Sequence, residues 1–198
     1  MSLWGASDSD ESKPKNLTTA EKKEVFANTK GWVREAGSAS SGNDNTSADA
    51  EVLVAIGGLS AALGAADITQ IEFITTSFDK SAGGTISARV RFNEPVAVVT
   101  TGGTPTLAVT NGNQGSGSGR GPHALAYASG TGTNELVFSL AIGAANAATN
   151  ADDVLVIGTN ALALNSGTIK DVATSTTNAT ITNSSAIGTA AGSITVVA

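Results

Sequence analysis

The feature that most constrains the fold of this chain is an alternation of apolar and polar residues with a period of two. It begins at about residue 67 and is clearest in the segments 86–93 and 136–142, where every even-numbered position is apolar. Such alternation is typical of a β-strand with one buried face and one solvated face. Shorter segments predict further strands at 71–73, 106–109, 124–128, 154–157, 179–181 and 194–197.

Turns rich in small residues separate these segments. The clearest lie at 81–84, 102–103, 129–132 and 165–167, and they combine residues that adopt turn conformations easily. Seven or eight short strands joined by turns over about 130 residues predict an all-β fold, an antiparallel β-sandwich. Small side chains can fill its core, because two packed sheets are only about 10 Å apart.

The composition excludes several functional classes. A formal net charge of −6 and a calculated pI near 4.6 do not fit a non-specific nucleic-acid binder, because such proteins neutralise phosphates with a basic surface. The chain has no Cys, which excludes disulfide scaffolds and thiolate metal sites. Only 14% of the residues are charged and 23 are Gly, which does not fit a helical bundle.

Charge is distributed unevenly along the chain. Residues 1–51 hold nine acidic and six basic residues, whereas the remaining 147 residues hold 13 charges. A composition shift of this kind indicates two regions. We predict an N-terminal region at 1–66, made of an arm and one short helix, and a β-sandwich domain at 67–198.

The N-terminal region begins with a polar arm and continues into a predicted helix. The segment Thr18–Glu21 has the spacing of a capping box, and the residues up to Ala27 predict two or three helical turns. A short strand is predicted at 31–37 and a polar loop at 38–48. Because one short helix cannot close a core alone, we expect this region to pack on the second region or on a partner.

No segment predicts export or membrane insertion. The first 20 residues contain the acidic patch Asp8, Asp10 and Glu11 and no apolar stretch of the kind that a signal peptide needs. The longest apolar segment, 52–66, has 15 residues, which is fewer than the roughly 20 residues of a membrane-spanning helix. It predicts a buried strand followed by a turn or helix of small residues, and we expect no membrane partner.

Three of the eight aromatic residues, Trp4, Phe26 and Trp32, lie in the N-terminal region. Large rings in a region without its own core fit an anchor on a partner, since aromatic residues are enriched at interfaces. The alternative is that the same rings form a small cap on the sandwich, and the sequence leaves both interpretations open. The residues predicted to bind a partner are Leu3, Trp4, Phe26, Trp32 and Arg34.

Three further candidate sites have simpler interpretations. The segment 115–121 has many glycines but lacks the helix and Lys-Ser/Thr pair of a phosphate-binding loop, so it predicts a flexible hairpin tip. His123, the one His, has no partner at metal-ligand spacing and is expected in a solvent-facing loop. Asp79 and Glu94 could form a carboxylate pair of the glycosidase kind, but nothing in the sequence fixes their separation.

Charged residues near the predicted strands indicate no chemistry either. Asn150, Asp152 and Asp153 offer oxygen ligands for Ca²⁺, but three in one loop are too few, and a solvated turn is favoured. Arg89 and Arg91 are interpreted as solubilising charges or as protection of an edge strand, with a partner-contact face as the second option. We therefore predict no enzyme, no catalytic residue, no metal and no cofactor.

Four motifs of the β-rich region follow one another in a fixed order. They are Phe92–Val96 (FNEPV), Gly103–Leu107 (GTPTL), Tyr127–Phe138 (YASGTGTNELVF) and Leu162–Asp171 (LALNSGTIKD). Over residues 68–185 the chain resembles the bacterial Ig-like repeats of large surface proteins, and the resemblance implies an Ig-like antiparallel β-sandwich. It departs from them by an insertion at 113–121. It also lacks their acidic D-x-D-G turn at 150–153, which puts a calcium linkage in doubt.

A second set of motifs lies within residues 1–75. They are MSLWG at the start, ESKPKNLTTAEKKEVF at 11–26, GWVREAGS at 31–38 and EVLVAIGGL at 51–59. In these segments the chain resembles structural proteins of T4-like phages of marine cyanobacteria. The resemblance implies a non-enzymatic capsid decoration protein that attaches to the major capsid lattice by its N-terminal region and exposes the Ig-like domain.

The same resemblance implies a location and partners. The chain is expected on the surface of the virion, after assembly in the host cytoplasm, in contact with the major capsid protein, other virion proteins or further copies of itself. The alternative is an adhesin-like or tail-fibre-associated module that binds a host-surface glycan through the long loop at 113–121. Sugar binding usually needs aromatic rings, and Tyr127 is the only Tyr.

Overall fold

The structure, a computed structural model, describes residues 14, 16–28, 30–56, 65–112, 123–144, 149–151 and 153–197. The chain divides into two compact units, 1–64 and 65–198, which we call the N-terminal unit and the β unit. The fold is all-β with two short helices, so the predicted fold class is confirmed.

The N-terminal unit contains one helix and a three-stranded antiparallel sheet. Helix α1 is Thr19–Glu24, and the strands are β1 Val25–Asn28, β2 Gly31–Arg34 and β3 Glu51–Ala55, in the order β1-β2-β3. The predicted capping box is present at Thr18 and Glu21. The predicted length of the helix is wrong, because residues 25–28 pair with β2 as a hairpin. The side chains of Val25 and Phe26 suit a buried strand.

A small core of its own holds the N-terminal unit together. Val25, Ala27 and Trp32 form a buried cluster, against which Leu17 and Leu53 pack. The expectation that this region has no core is therefore wrong, because the β1–β2 hairpin brings apolar residues together that are separated in the sequence. The predicted burial of the strand that begins at Val52 is also wrong, since β3 is largely exposed.

The β unit is built from nine strands and one helix of the described residues. The strands are β4 Ile68–Phe73, β5 Phe78–Asp79, β6 Gly84–Val99, β7 Thr106–Gly112, β8 His123–Ser129, β9 Thr133–Ile142, β10 Val154–Ala163, β11 Thr168–Asp171 and β12 Ser193–Val197; the helix, α2, is Ser185–Ala190. Their order is β11-β6-β9-β8-β7-β10-β12-β5, and β4 also pairs with β6. All pairs are antiparallel except β12 with β5.

Irregularities in the two longest central strands let this sheet curl around one core. Strand β6 shifts register against β9 between Arg91 and Val96, and β10 shifts against β7 between Ile157 and Leu162. Such bulges bend a strand and increase its twist. Near the far end of the strand order, the ring of Phe78 in β5 lies beside Gly84 at the start of β6. The sheet therefore curls until strands from its two ends meet.

Most predicted strands are present, and one is not. Residues 179–181 form only isolated bridges, at Asn178 with Lys170 and at Thr180 with Asp67. The alternation in β6 and β9 places Ile86, Val90, Leu136 and Phe138 in the core with no exposed area. The alternation of apolar and polar residues therefore predicted the inward face of these central strands correctly.

Candidate functional site

The five residues predicted to bind a partner fall into three groups. Leu3 and Trp4 lie outside the described residues. Phe26 and Trp32 are 6% and 2% exposed, and Trp32 belongs to the buried cluster of the N-terminal unit. The guanidinium of Arg34 donates to the carbonyl of Ser40 at 2.7 Å. Both rings are covered in the free chain, and their contact with a partner stays a prediction.

Strand β3 carries the exposed apolar residues of the N-terminal unit. Val52 and Val54 are 44% and 43% exposed, and Ile56, just after the strand, is 37% exposed. One edge of β3 pairs with β2, and no described strand pairs with its other edge. Exposed apolar patches and free strand edges mark interaction surfaces. The alternating Val and Ile of this segment were visible in the sequence, but the same residues also fit a buried strand, so the sequence did not indicate that they are exposed.

A cavity of about 220 Å³ lies beside the start of β3. It is lined by Ala36, Ser41, Gly42, Asn43, Asp49 and Glu51. The carboxylate of Glu51 is 3.8 Å from the guanidinium of Arg34. The cavity is smaller than a typical ligand pocket and most of its lining side chains are exposed, so it does not have the features of a built site.

Four charged side chains form an ionic network across β4, β6 and β9. Arg89 pairs with Glu72 and, at 3.4 Å, with Glu135; Arg91 pairs with Glu135 and donates to Gln70 at 3.1 Å. The side chain of Arg91 is only 1% exposed. The interpretation of both arginines as solubilising or edge-protecting charges is wrong, because β6 is a central strand and the cations are partnered by carboxylates of its neighbours.

His123 is buried, so its predicted place in a solvent-facing loop is wrong. It opens strand β8 opposite Val109 of β7 and is 6% exposed. Its Nε2 lies 3.0 Å from the hydroxyl oxygen of Thr149, which has no exposed area. Burial lowers the pKa of His123 below its ordinary value, and the negative charge of Asp153 opposes part of that shift.

The turn that contains Asp153 is not simply solvated. Asp153 is 1% exposed, and its carboxylate accepts a hydrogen bond from the Asn150 amide at 2.7 Å. The predicted solvated turn is therefore wrong at Asp153, whereas Asp152 lies outside the described residues. Within the described part of the chain, no group of three or more His, Asp or Glu side chains is arranged to hold a metal ion.

The two carboxylates considered as a glycosidase pair have unlike environments. Asp79 accepts hydrogen bonds from the hydroxyl and amide of Ser81, at 2.7 Å each, which hold its pKa below the ordinary value. Glu94 is fully buried in β6, between Phe92 and Val96 of the core. Both carboxylates of a glycosidase must contact the glycosidic bond or its water, and the carboxylate of Glu94 has no exposed area through which a sugar could reach it.

Tyr127 is used inside the β unit. Its ring packs edge-to-face on Phe138, with ring centroids 6.0 Å apart, and its hydroxyl accepts a hydrogen bond from the amide of Thr131 at 2.9 Å. This bond closes the turn between β8 and β9, where Gly130 has φ +108° and a Cβ would lie 1.9 Å from the Glu135 carbonyl oxygen. The YASGTGT motif is thus explained by turn geometry, which favours Gly.

None of the described helices is of a length and apolar character suited to crossing a membrane. The loop predicted as a hairpin tip, 113–121, lies outside the described residues.

Comparisons of the chain with protein-family models, with curated proteins and with solved structures give no match.

Proposed function

We propose that this chain is a non-enzymatic structural protein of a virion, a capsid decoration protein attached through its N-terminal unit. Its β unit is then the part displayed at the particle surface. The proposal rests on the sequence resemblance and on one structural observation, the exposed apolar strand β3. That strand lies in the charge-rich unit, so a partner would meet an apolar surface flanked by charges of both signs.

The two units have the separate cores that such a division of roles requires. The buried cluster of the N-terminal unit contains residues from 25 to 32, whereas the described core of the β unit contains only residues from 66 onwards. Many copies on one lattice would also raise the overall affinity above that of a single contact. The proposed attachment surface is therefore β3 with Val52, Val54 and Ile56, which are exposed, whereas Phe26 and Trp32 are buried.

Attachment is tested by co-sedimentation of the full chain with particles assembled without it. Val54→Lys places a charge on the exposed strand and should reduce bound protein at least tenfold. Val99→Lys is the matched control, since Val99 of the β unit is 51% exposed, and it should bind like the wild type. Equal loss for both variants, or no loss for Val54→Lys, would contradict attachment through β3.

Deletion of the N-terminal unit tests whether this unit attaches the chain to the particle. A chain that lacks residues 1–64 should stay folded and should not load onto particles. If this shortened chain still loads, the attachment region lies in the β unit. The alternative function, binding of a host-surface glycan, draws less support, because the ring of Tyr127 packs on Phe138 and its hydroxyl closes a turn.

A further inference from the structure

The buried group around His123 joins elements that are distant in sequence. His123 opens β8, Thr149 contacts it from the segment before β10, and Asp153 immediately precedes β10. All three residues are at most 6% exposed. We call them the His123 cluster.

Asp153 connects this cluster to the end of the chain. Its backbone carbonyl accepts a hydrogen bond from the Val196 amide of β12 at 2.8 Å. The Lys80 amide, just after β5, donates to the carbonyl of Val197 at 2.9 Å, and the Lys80 ammonium donates to Asn150 at 3.2 Å. Asp153 and Asn150 therefore add contacts to the end of β12 and to the residue after β5, beyond the pairing of β12 with β10.

Few charges face the imidazole of His123. Among the described residues, Asp153 is the nearby anion, and Lys80 is the cation of the same turn through Asn150. Val109 of β7 pairs with His123, and Val109 pairs in turn with Ile157 of β10; both residues are uncharged and buried. A positive charge on the ring would thus enter an apolar site with a single carboxylate to balance it, which is unfavourable.

From this arrangement we propose that the His123 cluster is an acid-sensitive latch on the C-terminal strand. The neutral ring can accept a hydrogen bond from the Thr149 hydroxyl at Nε2. A protonated ring has only N–H donors, so that bond must reverse while a charge is buried. Acidification then weakens the hydrogen bond from Val196 to Asp153 and the contact of Lys80 with Asn150, so the end of β12 and the residue after β5 open before the central strands do.

The direction of the pH dependence follows from where the proton binds. The folded chain holds the pKa of His123 below 6.5, its ordinary value, so the unfolded or locally opened chain binds a proton first as the pH falls. The latch is fully closed above that ordinary value. Its stability falls as the pH drops toward the pKa of the folded state and levels off below it.

Nuclear magnetic resonance of the full-length chain tests the proposal directly, because His123 is the only His and its ring signals need no assignment by mutation. Its titration midpoint should lie below 6.5. Over the same pH range, hydrogen exchange of the Val196 and Lys80 amides, corrected for the intrinsic rate, should accelerate by about threefold or more relative to Ala88 of β6.

A variant separates titration from packing. His123→Gln keeps an amide that can bond to Thr149 but cannot be charged, so the relative exchange of Val196 should become independent of pH. Asp153→Asn should lower the midpoint of His123 further, since it removes the balancing charge. A midpoint at or above 6.5 in the wild type would overturn the latch even if neither variant folds. The same pH dependence in wild type and His123→Gln would also overturn it.

Discussion

The two units bury their apolar residues on very different scales. Among the described residues, the core of the β unit contains 24 buried apolar side chains, whereas the cluster of the N-terminal unit contains three. Yet the N-terminal unit leaves two valines and an isoleucine of one segment exposed. The β unit also leaves apolar residues exposed (Ile74, Val99, Val172 and Val197), but they lie in different segments, whereas those of the N-terminal unit alternate along one segment, 52–56. Aligned in this way, they form the kind of apolar patch that marks an interaction surface.

The largest expected effect is the loss of the small core. Trp32→Ala removes the largest side chain of the three-residue cluster, and a change of this kind costs about 3–5 kcal/mol. A unit of this size has little stability to lose, so we expect it to unfold. Leu136→Ala in the β unit should lower the melting temperature without unfolding at room temperature.

Amide spectra of both variants provide the measurement. Trp32→Ala should collapse the signals of residues 17–56 and leave those of the β unit in place. If the signals of both units collapse together, the chain folds as one cooperative body and the two cores are not independent. If neither set changes, the cluster around Trp32 is not what stabilises the N-terminal unit.

The next effect compares the two arginines of the ionic network. The side chain of Arg91 is 1% exposed and that of Arg89 is 20% exposed. Arg91→Leu removes the bonds to Glu135 and Gln70 from a site closed to water, where such losses cost about 1–3 kcal/mol. A partly exposed pair, such as those of Arg89, contributes about 1 kcal/mol or less. Urea unfolding should therefore show a clearly larger loss for Arg91→Leu than for Arg89→Leu, and the reverse order would contradict the assignment of burial.

This network marks where sequence analysis succeeded and where it did not. Period two identified the inward positions of β6 and β9, because alternation depends only on neighbouring residues along one strand. The pairing of Arg91 with Glu135 depends on the register between two strands 44 residues apart. A single sequence does not contain that register, so the outward face was interpreted as simply solvated.

The same lack of information about distant contacts explains why the burial of His123 and the exposure of β3 were not predicted. Burial of His123 follows from the packing of Thr149 and Asp153 against β8, and nothing near residue 123 in the sequence indicates it. Exposure of Val52 depends on what covers the faces of β3, since β1, at the other edge of the same sheet, is buried. A strand rich in valine looks the same in sequence at an edge and in the middle of a sheet.

A smaller effect concerns the helix caps, one in each unit. The hydroxyl of Thr18 accepts from the amide of Glu21 at 3.3 Å, and the Glu21 carboxylate accepts from the amide of Thr18 at 2.8 Å. Ser184 accepts from the amide of Ile187 at 3.3 Å, and Ile187 has no polar side chain to return the bond. Thr18→Ala should cost its unit about 1 kcal/mol, and more than Ser184→Ala costs the β unit.

Only the cap of the N-terminal unit is expected to depend on pH. Hydrogen bonds from the amide and hydroxyl of Thr18 hold the pKa of Glu21 below its ordinary value of 4.5. The unfolded chain therefore binds this proton at a higher pH than the folded chain. Stabilisation by the box is complete above the ordinary value and is lost as the pH falls through the folded value.

Urea unfolding of the two cap variants at about pH 7 and about pH 3.5 checks this difference. The gap in stability between wild type and Thr18→Ala should shrink at the lower pH, since a protonated Glu21 accepts more weakly from the Thr18 hydroxyl, which donates to it at 2.7 Å and which the variant lacks. The gap for Ser184→Ala should stay constant, because no carboxylate takes part in that cap. An equal gap for Thr18→Ala at both values would mean that the ionised carboxylate does not stabilise the helix.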